Sequence, residues 1–254
     1  MHSTFTLSAT DGCAVHCQRW DVDEPKAIVQ IIHGGAEHAG RYERLATELI
    51  KHNYAVYAED HRGHGHTGLQ NGSLGDMGQA NAFDRVCSDC VMLSDHIRQH
   101  HFGKPIILLG HSLGSLITQK ILLSDSQKYT AAILSGSPDI LTVASASELV
   151  DAEAASLGRD QVSDTLESGI VEGFNAAFPD ARTSSDWLSR DSDEVQKYLN
   201  DPLCGYALCT GAWQDLIAAM RITAEREAIS SVRFDLPIYI LSGGDDPVNS
   251  GWTA

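Results

Sequence analysis

The stretch Gly110-His111-Ser112-Leu113-Gly114 constrains this chain more than any other. It matches G-x-S-x-G, and its surroundings give the match meaning. Pro105-Ile106-Ile107-Leu108-Leu109, just before it, is a short apolar run of strand character. Leu113, Leu116, Ile117 and Ile121, just after it, recur at helical spacing. A strand, a tight turn and a helix put Ser112 at the tip of a sharp bend, its hydroxyl exposed at the helix N-terminus. Glycines at 110 and 114 permit the close approach that the bend needs. A serine so placed is a candidate nucleophile, which requires a base, an orienting acid and donors for a developing oxyanion.

The first half of the chain alternates strands and helices, the pattern of a mostly parallel sheet with helices on both faces. Phe5 to Ser8 and Ala14 to Trp20 form two strands joined at the Asp11-Gly12 turn signal. Ala27 to Ile32, Tyr54 to Ala58 and Ala131 to Ser135 are further strands. Tyr42, Leu45 and Leu49 mark one helix; Phe83, Val86, Cys90, Leu93 and Ile97 mark a long amphipathic one. After Pro138 the strands stop. Val162, Leu166, Ile170, Phe174 and Phe178 step by four along one helical face, and Trp213, Leu216, Met220 and Ala224 along another. Strand character returns at Leu236 to Leu241. The expected division is therefore an α/β core over 1–137, a helical cap or lid over 138–233 and a second part of the core over 234–254. Such an insertion sits over the strand ends where Ser112 emerges, and its apolar faces can line an acyl pocket.

Bulk properties narrow the partners. The 254 residues carry 34 acidic and 18 basic side chains, a formal net charge of −16. That charge repels nucleic acid and gives no attraction to anionic lipid. The opening residues lack a basic and an apolar signal region, and no apolar run reaches the ~20 residues of a membrane span. A cytoplasmic location is expected. The six cysteines are expected to be free. Cys87-x-x-Cys90 falls within a helical pattern and has no second pair at zinc spacing, so both are expected on a buried helix face. His61, His64 and His66 lack a further carboxylate or cysteine ligand set. No cofactor or metal is implied.

The oxyanion donors are expected from the Leu113 amide and from the loop His33-Gly34-Gly35-Ala36-Glu37-His38 after an early strand, with Gly35 as the second donor. The acid is expected after a late strand, at Asp246 or its neighbour Asp245 in Ser242-Gly243-Gly244-Asp245-Asp246-Pro247.

Three strings together carry a family resemblance. His33-Gly34-Gly35-Ala36-Glu37-His38-Ala39-Gly40-Arg41-Tyr42, Asp60-His61-Arg62-Gly63-His64-Gly65 and Gly110-His111-Ser112-Leu113-Gly114 resemble the monoacylglycerol lipase group of the α/β-hydrolase superfamily, also described as lysophospholipase-like or of serine aminopeptidase S33 type. Asn200-Asp201-Pro202-Leu203-Cys204-Gly205 resembles the cap of bacterial members. The resemblance implies an α/β-hydrolase fold, a lipid or small ester as substrate, and an acyl-enzyme on Ser112. It implies Asp246, in Gly243-x-x-Asp246-Pro247, as the acid, Gly35 and Leu113 as oxyanion donors, and scaffold roles for His33, Arg62 and His64.

The base departs from this pattern. In this fold the histidine follows the acid, yet all twelve histidines lie at or before His111. His111 is expected to point away from the serine face and His33 to approach from the wrong side. The sequence thus reads as a stretch that stops before its last strand and helix, with Asn249 to Ala254 opening a helix; an inactive ligand-binding relic is the alternative. Turnover is expected to be impaired. The 236–241 strand is expected to be a bare sheet edge prone to self-association.

Overall fold

The apolar runs assemble into a seven-stranded sheet in the computed structural model, which describes residues 1–72, 74–78, 81–169 and 173–249. The strands are β1 (His2–Ser8), β2 (Ala14–Trp20), β3 (Ala27–Ile32), β4 (Tyr54–Glu59), β5 (Ile106–His111), β6 (Ala131–Ser135) and β7 (Ile238–Leu241), in the order β1-β2-β4-β3-β5-β6-β7. β1, β2 and β4 pair antiparallel; β4, β3, β5, β6 and β7 run parallel.

Every residue of β3 is buried, because helices cover both faces of the central strands. Alternation divides them. Val29 and Ile31 join Ala46 of α1 (Glu43–Lys51) on one face. Ile28 and Ile32 join α3 (Ala82–His100) and α4 (Leu113–Asp125) on the other. A short α2 (Gly65–Asn71) follows β4. The expected stripe of α3 is fully inside: Phe83, Val86, Cys90, Leu93 and Ile97 are all buried. That of α1 is shallower, with Leu45 38% exposed and Ala46 taking the buried position.

Between β6 and β7 the chain is helical: α5 (Ile140–Ser145), α6 (Ser147–Leu157), α7 (Asp164–Glu167), α8 (Gly173–Asn175), α9 (Ser192–Asn200), α10 (Thr210–Thr223) and α11 (Arg226–Ile229). α10 is its central piece, packing on α5 and α6 and reaching α3 and α4. The stripe expected from Val162 to Phe178 does not form one helix. Val162 instead bridges to Cys209 and is 44% exposed, Ser163 caps α7 by accepting from the Leu166 amide, and among the described residues of the stripe Leu166 alone is buried. Ile170 lies outside the described residues, as does most of the helix start expected after Asn249.

β7 pairs with β6 alone among the described residues, and its four side chains are 40–65% exposed. All six cysteines are free, Cys87 and Cys90 buried on α3. No helix among the described residues is long and apolar enough to cross a membrane.

Candidate active site

Ser112 stands between β5 and α4 with φ 51° and ψ −118°, a conformation rare for a residue with a side chain. Two close approaches hold the bend. A Cβ on Gly110 would fall 2.3 Å from Thr118 Oγ1 and 2.4 Å from the Gly114 carbonyl oxygen. One on Gly114 would fall 2.0 Å from the Ile32 carbonyl oxygen. The Ser112 amide donates to the Ser135 carbonyl at 2.9 Å, tying the bend to the end of β6. Its side chain is half-buried and caps no helix amide.

The loop after β3 lies against the start of α4: the Cβ position of Gly35 is 3.6 Å from Leu113 Cδ2. Neither the Gly35 nor the Leu113 amide donates to an acceptor among the described residues. The neighbouring amide is engaged: Gly34 donates to Glu37 Oε1 at 2.6 Å, and Tyr42 Oη–H donates to the same oxygen at 2.8 Å. Arg41 pairs with Glu37 Oε2. Burial alone would raise the Glu37 carboxyl; His111, Arg41 and these hydrogen bonds hold it below the usual range.

The two aspartates after β7 separate clearly. Asp245 is exposed and pairs with Arg190. Asp246 is half-buried, and its Oδ2 faces the Cβ position of Gly136 at 3.4 Å; His111 Cε1 lies 3.2 Å from that point. The imidazole of His111 therefore fills space between the Gly34 loop and the acid turn.

The remaining motif residues hold the floor. His33 Nε2 accepts from the His61 amide at 3.0 Å, so the proton is on Nδ1, which donates to the Gly34 carbonyl at 2.7 Å. Burial, with His61 and His64 beside it, keeps His33 neutral, its pKa well below the usual value. Burial likewise pushes His64 down to about 3. Asp60 accepts from the amides of Ala39 and His66, both at 2.8 Å. Arg62 points away, clamped by Asp89 at 2.6 Å and Asp11 at 2.6 Å.

The insertion grips the same loop from above. Tyr198 Oη–H and the Gly205 amide both donate to the Ala36 carbonyl, at 3.2 and 3.0 Å. His38 Nε2 donates to Asp201 Oδ2 at 2.9 Å, and the Arg41 guanidinium lies 4.9 Å from the Tyr198 ring centre. Nothing in the 200–205 string by itself indicates this clasp. Its partners are some 160 residues away, as the 163-residue separation of His38 and Asp201 illustrates. Two cavities, of about 660 and 350 Å³, have linings that do not include Ser112.

The chain is similar to known proteins over most of its length. The family model described as serine aminopeptidase, S33, matches residues 23–251. The monoglyceride lipase homolog of Monkeypox virus is 30% identical over 205 residues, 80% of this chain and 66% of its own length. Mouse monoglyceride lipase is 31% identical over 247 residues, 94% of this chain and 72% of its own. The crystal structure of a carboxyl esterase from Bacillus coagulans superposes with a TM-score of 0.89 at 23% identity, covering 98% of this chain and 82% of that one. With its seven-stranded sheet and helical insertion, the chain belongs to the serine aminopeptidase S33 family, in the monoacylglycerol lipase-like group of the α/β-hydrolases.

Proposed function

We propose that this chain carries the framework of a serine carboxylic-ester hydrolase of monoacylglycerol lipase or lysophospholipase type. The observation that carries the proposal is the strained Ser112 bend beside two amides, Gly35 and Leu113, that donate to no acceptor among the described residues. A ground-state loop has no need to leave adjacent amides unpaired; an oxyanion hole does. Ser112 Oγ attacks the acyl carbonyl, the oxyanion accepts from the two amides, and the alcohol leaves. Water then hydrolyses the acyl-enzyme. Asp246 is the acid in this reading, since it faces inward while Asp245 faces Arg190. Residues 138–233 act as the lid, their Tyr198–Gly205 segment fixing the loop that bears Gly35. The core parts are 1–137 and 234–254. A lipid or small ester, taken up from the cytoplasm, is the substrate.

The base is the open member. No histidine follows His111 in this sequence, so Ser112 deprotonation by a histidine beyond the acid is not supplied by these residues. A second reading is a non-catalytic ligand-binding relic on the same framework; peptide hydrolysis on the same serine is a third. One experiment separates them. Hydrolysis of an aryl ester, a monoacylglycerol and an aminoacyl arylamide is measured with and without added imidazole. Slow ester cleavage that rises with imidazole and vanishes in Ser112→Ala is expected. No difference between wild type and Ser112→Ala under any condition would rule out hydrolysis on Ser112 by these residues.

A further inference from the structure

Behind the Gly35 loop, three side chains of metal-binding chemistry meet in an enclosed spot. Glu59 ends β4, His61 lies in the loop after it, and Cys90 lies on α3. Glu59 and Cys90 are 0% exposed and His61 is 1% exposed. One donor atom from each lies within 4.8 Å of the other two. The Cys90 thiol donates to Glu59 Oε1 at 2.9 Å. His61 Nδ1 stands 3.1 Å from that same oxygen without the alignment of a hydrogen bond. His61 Nδ1 and Glu59 Oε2 are both buried and have no hydrogen-bond partner among the described residues.

The orientation of His61 is informative. Its Nε2 lies 3.1 Å from the His33 carbonyl oxygen and so carries the proton. Its Nδ1 lone pair is then left beside the Glu59 carboxyl group, with no donor to it among the described residues. A backbone carbonyl on one ring nitrogen and a free lone pair on the other is how metal-bound histidines are oriented. Two buried acceptors this close, an imidazole nitrogen and a carboxylate oxygen, are stabilised by a proton or a cation near both.

We propose that Glu59, His61 and Cys90 form a buried binding site for one zinc ion. Carboxylate, imidazole and thiolate together suit zinc better than a hard cation such as magnesium or calcium. Charge favours it too: a divalent ion, one carboxylate, one thiolate and a neutral imidazole sum to zero, the condition for burial away from water. Glu59 Oε2 supplies a fourth donor atom. On binding, Zn–S, Zn–N and Zn–O bonds form. The thiol proton, and any proton held between Glu59 and His61, leave to solvent. Burial and the adjacent Glu59 push the free Cys90 thiol up; an ion of charge +2 at this spot reverses that. The enclosure means that the ion enters as the chain folds. Once in place it joins β4, its following loop and α3, and through His61 it braces His33 at the base of the Gly35 loop.

His38, Asp201 and Cys204 also approach one another within 4.8 Å. There His38 Nδ1 accepts from the Gly40 amide at 3.2 Å, so Nε2 carries a proton toward Asp201 and presents no lone pair to an ion.

The test is to refold the whole chain from denaturant with zinc sulfate or with a chelator, desalt it, and measure zinc per chain and the melting temperature. About one zinc per chain and a higher melting temperature for the zinc-refolded protein are expected. Cobalt in place of zinc should give a thiolate-to-cobalt charge-transfer band that Cys90→Ser removes and Cys204→Ser retains. Zinc content below about a tenth of an equivalent in the folded wild type overturns the site. So does a cobalt complex without the sulfur band, or one that depends on Cys204. None of these readouts depends on hydrolase activity.

Discussion

Gly114→Ala tests whether the Ser112 bend is held by backbone contact rather than by local preference. The added Cβ would lie 2.0 Å from the Ile32 carbonyl oxygen, 2.6 Å from the Ile32 carbonyl carbon and 2.5 Å from the His33 carbonyl oxygen. All three are backbone atoms at the end of β3, which is hydrogen-bonded on both sides, so no rotamer change relieves them. To restore even the 3.0 Å minimum seen for real Cβ atoms, α4 must move off the sheet by about 1 Å. Overpacking costs about 1–3 kcal/mol, and a rigid backbone obstacle places this case near about 3 kcal/mol. Alanine's helix preference returns at most about 1 kcal/mol. The net loss is about 2 kcal/mol, or about 4–8 °C in melting temperature for a chain of this size. Gly35→Ala is the control. Its Cβ meets Leu113 at 3.6 and 3.8 Å, ordinary contact distances, and its stability should stay within about 0.5 kcal/mol of wild type. Urea unfolding followed by tryptophan fluorescence, with slopes compared, measures both. Equal losses in the two variants, or none in Gly114→Ala, would refute the packing argument.

Three further outcomes are expected. Stability should fall on acidification below about pH 6.5, because the unfolded chain binds a proton at His64 that the folded chain refuses until about pH 3. One such group gives about 1.4 kcal/mol per pH unit, or about 2 kcal/mol between pH 6.5 and 5, and His33 acts in the same direction. Urea midpoints that do not change between pH 7 and 5 would contradict this. Arg41→Leu leaves the 4%-exposed Glu37 without its ion pair and should cost on the order of 3 kcal/mol, with the Arg41→Leu/Glu37→Gln double variant recovering part of it in thermal melts. On the exposed β7 edge, Ile240→Lys should lower any self-association seen by sedimentation velocity, since a charge blunts an open edge; an unchanged distribution would place the contact elsewhere.

The sequence was most legible where one local rule decides the structure. β3 and β6 fall on the expected residues, because a short apolar run bounded by turn residues leaves little choice of length. The α3 stripe is equally plain, since nineteen helical residues average out any single exception. Rows of apolar residues at fourfold spacing failed from Val162 to Phe178. Helical spacing states which residues would share a face if the helix formed, not that it forms. Here Val162 lies in a bridge to Cys209, outside any helix, and Ser163 caps the helix that starts at Asp164.

The site divides along the same line. The glycines that let the Ser112 bend approach its neighbours lie beside it in sequence, so its motif could be read directly although the contacts themselves are distant. The preference for Asp246 over Asp245 rests, in the sequence, on the resemblance of Gly243-x-x-Asp246-Pro247 alone; the side of the turn each aspartate takes, toward Gly136 or toward Arg190, is visible only in the fold. The clasp on Ala36 and the meeting of Glu59, His61 and Cys90 unite residues from separate motifs. Each motif on its own had a sufficient explanation, His61 as part of a turn and Cys90 as a helix-face residue. Only the fold brings their ligand atoms together and leaves Glu59 Oε2 and His61 Nδ1 without a partner among the described residues, which is why a buried polar atom without a partner is the more telling sign of an unassigned site than any spacing in the chain.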